Sequence, residues 1–132
     1  MNIKRLVFFF LYYGLARHLP PSFAPGGNVF KWVRSRIAGQ LFKECGQNVN
    51  VEKGASFHSG RHVRIGNNSG IGVNAEIGGE VSIGNDVMMG PNVTIWTSDH
   101  DFTRVDVPMI QQGMKTERPV TIKDDVWIAV PM

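Results

Sequence analysis

Aliphatic residues recur at every sixth position through the middle of the chain. From residue 65 the sequence divides into IGNNSG, IGVNAE, IGGEVS, IGNDVM and MGPNVT, followed by IW. The first hexad positions are Ile65, Ile71, Ile77, Ile83, Met89 and Ile95, and the fifth positions are Ser69, Ala75, Val81, Val87 and Val93. A helix would scatter this spacing around its circumference, and a flat strand gives no reason for the glycine at each second hexad position.

A triangular coil accounts for this spacing. If each hexad is a short strand and a corner, three hexads make one turn of about eighteen residues, and successive turns stack about 4.8 Å apart through parallel pairing. Aliphatic side chains then point inward and lie above one another. Glycine, asparagine and aspartate are expected at corners, where the backbone angles are unusual.

The repeat extends in both directions and is interrupted once. Upstream, Val51, Phe57 and Val63 keep the phase of Ser69, the fifth hexad position, so the coil is expected to begin near Gln47. Downstream, the matching inward positions are Ile122, Val126 and Ile128. Ile95 and Ile122 are 27 positions apart, which is not a multiple of six. The sequence therefore predicts a repeat domain over residues 47–132 with an inserted loop at about 97–119.

Residues 1–46 lack the repeat and are predicted to form a helical arm. Leu6 to Ala16 is an apolar run flanked by basic residues, shorter than the about 20 residues that span a bilayer as a helix. A signal peptide, an interfacial anchor and a helix packed on the body or a partner remain open, with packing or surface attachment favoured. Pro20 and Pro21 are expected to end this helix.

A second, amphipathic helix is predicted from the N-cap residue Asn28. An apolar stripe at i, i+4 spacing consists of Val29, Val33, Ile37 and Leu41, and the other faces carry Lys31, Arg34, Arg36 and Lys43. The stripe indicates a helix that covers one side of the core, with its basic faces outward.

Charge divides the chain near the same place. Residues 1–43 carry seven Lys or Arg and no Asp or Glu, whereas residues 44–132 carry seven basic and eleven acidic side chains. A basic arm on a mildly acidic body indicates contact with an anionic surface more than nucleic-acid binding. The single Cys45 excludes an internal disulfide and favours a reducing compartment. We expect a cytoplasmic protein, with peripheral membrane contact through residues 1–43 left open.

VSIGNDVMMGPNVTIWTSDHDF followed by RPVTIKDDVWIA resembles the hexapeptide-repeat acyltransferases. Within them it is similar to the branch of maltose and galactoside acetyltransferases and polysaccharide O-acetyltransferases, over about residues 47–130. The resemblance implies an all-β fold, a left-handed parallel β-helix preceded by N-terminal helices, and a homotrimer with active sites between subunits. The left hand comes from the resemblance alone, because parallel crossovers are generally right-handed.

The resemblance also implies acetyl transfer from acetyl-CoA to a hydroxyl, without a metal. Histidine is well suited to remove the hydroxyl proton near neutral pH. His100 lies where the repeat is interrupted and matches the general base of the family; the alternative is a solvated loop histidine. Asp99 or Asp101 would hold its imidazole in one tautomer or raise its basicity, unless they are merely solvated or turn-forming.

Two further residues match functional positions of the family. Asn74 corresponds, with an alignment slip of about two residues, to an acceptor-binding asparagine; a corner residue in the left-handed conformation is the alternative. Trp127 matches a tryptophan near the donor site, although packing at a trimer interface would equally explain a large apolar residue there.

Several function classes stay open. We expect O-acetylation of a saccharide hydroxyl, with capsule or exopolysaccharide synthesis as a setting; a xenobiotic acetyltransferase is the alternative within the same branch. A zinc-dependent carbonic anhydrase on this coil would need three convergent histidines, and His58 and His62 occupy different template positions from His100. The chain ends in WIAVPM, in the middle of a hexad. This ending favours a truncated chain that binds acetyl-CoA weakly, or a truncated non-catalytic β-helix protein.

Overall fold

Short parallel strands follow one another through the middle of the chain. The computed structural model describes residues 2–129. The strands are β1 (Glu44–Cys45), β2 (Asn50–Val51), β3 (Val63–Ile65), β4 (Gly70–Ile71), β5 (Glu76–Gly78), β6 (Val81–Ile83), β7 (Met88–Met89), β8 (Thr94–Trp96), β9 (Val120–Ile122) and β10 (Trp127–Ile128).

The spacing between paired strands matches the predicted turn of three hexads. Val63 pairs with Val81, and Glu76 pairs with Thr94. At a corner of the coil, the Asn67 N–H donates to the side chain of Asn85, 18 residues later, at 2.8 Å. This offset confirms the prediction for these turns. The first turn is two residues longer, since Val51 pairs with Ile71, so the predicted phase of Val51 with Ser69 is wrong.

The strands occupy three ladders, one for each side of the coil. The first ladder has the order β1-β3-β6-β9, the second contains the pairs β2-β4 and β7-β10, and the third pairs β5 with β8. The strands are very short, because a corner follows each one. Because each short strand ends at a corner, the loops between strands leave the coil at its corners.

The inward positions predicted from the hexads form the core. Among the first and fifth positions, those buried are Ile65, Ser69, Ile71, Ala75, Ile77, Val81, Ile83, Val87 and Val93. Upstream, Val51, Phe57 and Val63 are buried as well, and downstream Ile122 and Val126 pack against the same core. Because aliphatic side chains of successive turns lie above one another, the core is one continuous column.

The corners are formed by asparagine and aspartate rather than by the repeated glycines. Left-handed backbone angles occur outside glycine at Asn48, His58, Asn68, Asn74, Asp86, Asn92 and Asp125. The hexad glycines serve close stacking instead: a Cβ on Gly66 would lie 2.7 Å from the backbone of Gly84, one turn later. The expectation that the repeated glycines supply unusual backbone angles is therefore wrong, whereas the expectation for asparagine and aspartate is confirmed.

Two helices precede the coil, which confirms the predicted N-terminal helices, whereas the all-β class is wrong for the chain as a whole. They are α1 (Ile3–Gly14) and α2 (Gly27–Gly39), with a short 3-10 helix at Ala16–His18 between them. Tyr12, Ala16 and Ala38 are fully buried and belong to the same core as the coil. The helices form because apolar residues at helical spacing gain burial against the first turn of the coil. No helix among residues 2–129 is long and apolar enough to cross a membrane.

Helix α1 is held on the coil by polar contacts as well as by its aromatic side chains. The Tyr12 hydroxyl donates to the Ala55 carbonyl at 2.7 Å, and the Tyr13 hydroxyl donates to the His58 carbonyl at 2.6 Å. At the helix start, one Arg5 nitrogen donates to the carbonyls of Leu41 and Ser59. These contacts run along the length of α1 and fix which of its faces points away from the coil.

Arg34 lies inside the protein, in contrast to the outward polar face predicted for it. Its side chain is fully buried, and it donates to the carbonyls of Val51, Leu19 and Pro20. Its Nη2 atom is 3.6 Å from Glu52 Oε2. The helix can turn this face inward because the guanidinium donates to these three backbone carbonyls, which compensates for its burial. The prediction that the chain ends in the middle of a hexad concerns residues 130–132, which lie outside the described residues.

Candidate active site

One excursion leaves the coil after β8 and returns at β9. Val81 of β6 pairs with Val63 in the turn before it and with Val120 of β9 in the turn after it. The Asn67 N–H reaches the Asn85 side chain across 18 residues, whereas the Asn85 N–H reaches Asp124 Oδ1 across 39 residues. The excursion therefore lengthens this turn by a segment equal in length to 98–118.

The chain rejoins the coil in the register that the other turns keep. Ile83 of β6 pairs with Ile122 of β9 in the first ladder. In the second ladder Met88 pairs with Trp127, and Met89 pairs with Ile128. The inward side chains after the excursion therefore lie at the positions that the register of the preceding turns predicts for them.

The two ends of the excursion pair with each other in antiparallel fashion. The Arg118 N–H donates to the Thr97 carbonyl at 2.7 Å, and the Lys115 N–H donates to the Asp99 carbonyl at 2.8 Å. Farther out, the Asp101 N–H donates to the Gly113 carbonyl at 2.9 Å. These bonds form a two-stranded stem that projects from the rigid coil.

The base of the stem is fastened to the turn below it by Thr97 and Glu117. The Thr97 hydroxyl lies within hydrogen-bond distance of the Gly78 carbonyl and of the Glu117 carboxylate, at 2.9 and 2.8 Å. Glu117 also accepts from the Glu80 N–H at 2.9 Å. This last bond and the one from Thr97 lower the pKa of Glu117. The anchor therefore contains an ionised carboxylate that joins two successive turns.

His100 lies on this stem, between Asp99 and Asp101. Its backbone forms an antiparallel bridge with Met114, and its side chain is exposed. A histidine on a paired stem has a fixed backbone while its imidazole stays accessible to a substrate. Its predicted role as general base stays a prediction.

The two flanking carboxylates differ in what they contact. One Asp101 oxygen accepts from the N–H and the hydroxyl of Thr103, at 3.0 and 2.8 Å. The Thr103 N–H and then its hydroxyl lower the pKa of Asp101, with Lys115 adding a smaller effect. Asp101 thus forms a local turn with Thr103, which is the arrangement of the turn-forming alternative. Asp99 is exposed and contributes its backbone carbonyl to the stem.

A cleft of about 750 Å³ opens beside the stem. Its lining is formed by Trp96, Thr97, Ser98, Asp99, Asp101, Thr103, Met114, Lys115, Thr116, Arg118, Pro119 and Val120. Four hydroxyl and two carboxylate side chains make up half of these twelve residues, and the others are two cations, one indole and three further apolar side chains. Such a lining suits a ligand with many hydroxyl groups. Hydroxyl and carboxylate side chains form hydrogen bonds with such a ligand, and an indole packs against its apolar face. In the sequence His100 lies between two lining residues, Asp99 and Asp101, although His100 itself is not part of the lining.

Asn74 occupies a corner of the coil. It has a φ of 56°, and its N–H donates to the Lys53 carbonyl at 2.9 Å. Its side chain stacks over Gly54 of the preceding turn, where a Cβ would collide with its amide. The left-handed corner alternative is confirmed, and the exposed amide leaves acceptor binding a prediction.

Trp127 lies on the outer side of the second ladder, opposite Met88. The indole is 70% exposed, so it does not contribute to the core of this chain. Both predicted roles, donor contact and interface packing, need an exposed ring. The structure does not bring Trp127 into the lining of the cleft described above.

The remaining histidines of the coil are His58 and His62. His58 occupies a left-handed corner with a φ of 55°, and His62 is close enough to Glu117 to contribute to lowering its pKa. Within the described part of the chain, no three His, Cys, Asp or Glu side chains come together as a group that could hold a metal ion.

Sequence reasoning missed the anchor and the cleft cations. Thr97 is buried although it follows the last complete hexad, and Glu117 lies 20 residues farther along the chain. Neither residue belongs to a repeat position. The only available signal was that both lie near the ends of the predicted insertion, where the base of a loop must attach to the scaffold.

Comparisons with known proteins agree with this architecture. No protein-family model matches the chain, and no curated protein matches it. Among solved structures, the chain is similar to a hexapeptide-repeat-containing acetyltransferase from Vibrio cholerae, with a TM-score of 0.68 and 21% sequence identity. The similarity covers 93% of this chain and 64% of that chain, so the chain spans less than two thirds of the length of its structural neighbour. The chain therefore has the fold of a hexapeptide-repeat acetyltransferase.

Proposed function

We propose that this chain is an O-acetyltransferase that moves an acetyl group from acetyl-CoA to a saccharide hydroxyl. The observation that carries the proposal is the position of His100, on a fixed stem beside a hydroxyl-lined and carboxylate-lined cleft, in a coil with an acetyltransferase fold. The synthesis of a capsule or exopolysaccharide is the setting that we favour, and a xenobiotic acceptor is the alternative.

His100 acts as the general base in this proposal. Its imidazole accepts the proton of the acceptor hydroxyl while the hydroxyl oxygen forms a bond to the acetyl carbonyl carbon. Acetyl-CoA supplies the activated acyl group as a thioester. When the carbon–sulfur bond breaks, the imidazolium returns the proton to the departing sulfur, so the histidine ends the cycle in its starting form.

The cleft residues support binding of both substrates. Hydroxyls such as those of Ser98 and Thr116 match the hydrogen bonds of a saccharide, and Trp96 offers a flat apolar surface. Lys115 and Arg118 fit the negative phosphates of a CoA donor. We further propose that Asn74 contacts the acceptor and that Trp127 contacts the donor, each from an exposed position on the coil.

A left-handed coil and a homotrimer with active sites between subunits complete the proposal. Large apolar side chains are exposed along the excursion: Phe102, Val105, Met109, Ile110 and Met114. Exposed apolar groups in one segment are typical of a protein–protein interface. An excursion seated on a neighbouring subunit would place His100 at the boundary between the two chains.

Acetyl transfer by the His100→Asn variant tests the base. We expect the initial rate, followed as release of CoA thiol with oligosaccharide acceptors, to fall at least about 100-fold, the usual contribution of a general base. The matched control is His58→Asn. His58 is an exposed histidine in a left-handed corner, a conformation that asparagine also tolerates.

Equal rates for His100→Asn and the unmodified chain would rule out the catalytic assignment. Equal losses in both variants would indicate a structural effect rather than a missing base. Transfer to small aromatic alcohols, with no transfer to saccharides, would favour the xenobiotic alternative.

A further inference from the structure

One face of α1 is apolar and turned away from the coil. Its side chains, with their exposed fractions, are Ile3 (81%), Leu6 (41%), Val7 (52%), Phe10 (65%) and Leu11 (39%), and Leu15 (53%) follows at the helix end. We call these six residues the outer face. A contiguous apolar surface of this kind on a soluble domain marks a contact with another molecule or with a membrane.

The orientation of the outer face is fixed by the opposite side of the helix. Tyr12 is fully buried, and its hydroxyl donates to the Ala55 carbonyl. Phe9 and Tyr13 pack against the core, with their ring centroids 4.8 Å apart. Near the helix start, Arg5 donates to the carbonyls of Leu41 and Ser59. The helix cannot rotate the outer face inward without breaking these contacts.

The N-terminal arm that carries the outer face is basic. No Asp or Glu occurs before Glu44, while seven Lys or Arg occur in residues 1–43. Arg5 and Arg34 are used in internal hydrogen bonds. Lys4, Arg36 and Lys43 remain exposed on the same arm. The arm therefore combines an apolar surface with cations that have no acidic neighbour in its own sequence.

We propose that the outer face docks on an anionic lipid bilayer. Apolar side chains of an interfacial helix enter the boundary between head groups and acyl chains, and nearby lysines and arginines attract anionic head groups. The absence of acidic side chains from residues 1–43 favours this occupant over a second copy of the chain, because two copies would bring their basic arms together. The α1 helix lies flat between the coil and the bilayer in this arrangement.

Docking deepens the proposed function, because it would hold the stem and its cleft close to acceptors that are attached to lipids. That consequence rests on the proposed acetyl transfer, whereas the docking itself does not. Vesicle binding is measured without acetyl-CoA or a saccharide, so a failure of docking and a failure of catalysis are distinguishable.

Co-sedimentation of the full chain with vesicles tests the proposal. We expect binding to phosphatidylcholine vesicles that contain about one third phosphatidylglycerol, and weaker binding to pure phosphatidylcholine or at high salt. Phe10→Glu should weaken binding to the anionic vesicles at least about tenfold, because it removes a ring and adds a charge on the outer face. The matched control is Asn92→Asp, which adds the same charge at an exposed corner of the coil and should bind almost as the unmodified chain does.

A second variant, Val7→Gln, keeps the charge unchanged and suits a helix, so it separates loss of apolar contact from electrostatic repulsion. It should weaken binding by at least about threefold while leaving thermal unfolding unchanged. The proposal is overturned if the unmodified chain stays in the supernatant with anionic vesicles, or if both outer-face variants bind as the control does. It is likewise overturned if light scattering shows a lipid-free oligomer that either outer-face variant dissociates, because the face would then contact another copy.

Discussion

The contact between Arg34 and Glu52 joins the linker after α1, the second helix and the first turn of the coil. Arg34 reaches the carbonyls of Leu19 and Pro20 in the linker, and Glu52 accepts from the N–H and hydroxyl of Ser22. A buried ion pair contributes little net stability, because desolvation offsets the attraction between the charges. The pair instead fixes the relative positions of the three segments, since Arg34 and Glu52 each also form hydrogen bonds with backbone groups.

The titration of Glu52 gives a pH-dependent stability. Burial alone would raise the pKa of Glu52, but hydrogen bonds from Ser22, Asn50 and Lys53 outweigh it, and the pKa lies below its ordinary value. The unfolded chain therefore binds more protons than the folded chain in acid, and stability falls as the pH drops. We expect the free energy of unfolding in urea to decrease from about pH 5 to pH 3, as the ordinary glutamate pKa of about 4.3 is passed.

The variant Glu52→Gln isolates this contribution. It should be less stable than the unmodified chain at pH 7 and should lose less stability between pH 5 and pH 3. The matched control is Glu44→Gln, because the Glu44 side chain is 70% exposed and its nearest Arg64 nitrogen is 3.7 Å away. An acid slope in Glu52→Gln as steep as that of the control would show that Glu52 does not carry the effect.

At the scale of elements, the stem depends on a glycine in the turn below it. Gly79 has a φ of 99°, and a Cβ there would collide with the Thr97 hydroxyl and the Glu117 carboxylate. Gly113, within the stem, has a φ of 80° and open space around it. The two positions share a left-handed backbone and differ in whether a methyl group disturbs the anchor.

Alanine substitution at these two glycines separates backbone strain from loss of the anchor. Gly113→Ala should cost only the strain, about 1–2 kcal/mol of unfolding free energy. Gly79→Ala should cost about 1–3 kcal/mol more, because Thr97 and Glu117 must move. Urea denaturation gives the unfolding free energies, and hydrogen exchange of the Arg118 amide reports the stem. Equal losses and equal exchange in the two variants would contradict the anchoring role of Thr97 and Glu117.

Across the whole molecule, sequence predicts the coil well because one physical rule repeats. Each inward position must be apolar in every turn, so a single hexad is supported by its neighbours, and Val126 keeps its phase after the excursion. Upstream, Val51 is buried but pairs with Ile71, because the first turn is two residues longer than the repeat predicts. The length of the excursion follows from the same register. Side-chain chemistry inside the excursion has no such repetition, and therefore His100 was found by its position and by resemblance, whereas Thr97 and Glu117 were not found.

In the N-terminal arm, sequence-based prediction of the buried face is less successful than in the coil. An apolar run predicts the first helix and helical spacing predicts the second, but the inward face of α2 is predicted from hydrophobicity alone. Arg34 is buried because carbonyls of the linker and of β2 converge on it, and that convergence depends on the tertiary fold. Val29, which belongs to the predicted apolar stripe, is 65% exposed. Hydrophobicity cannot locate a buried cation whose partners come from distant segments.

The register of the coil makes the excursion separable from the fold. Removal of residues 98–118 would give Val81 and Val120 the same spacing that relates Val63 to Val81 in the uninterrupted turn. Val120 donates to the Glu80 carbonyl at 3.0 Å, and Ile122 accepts from the Gly84 N–H at 2.8 Å. Neither bond involves a residue of the deleted segment. The shortened chain should therefore keep β9 and β10 on their ladders while losing the stem, His100 and most of the cleft.

Deletion of residues 98–117 and deletion of residues 98–119 provide the out-of-register controls. Each shifts the last two strands by one position, and such a shift turns every inward side chain outward. We expect amides of residues 120–128 to exchange slowly in the unmodified chain and in the in-register deletion, and at least about tenfold faster in both controls. Similar protection in all three deletions would mean that hydrophobic register does not hold the end of the coil. Rapid exchange in the in-register deletion as well would mean that the excursion itself holds β9 in place, through Glu117 and Thr97.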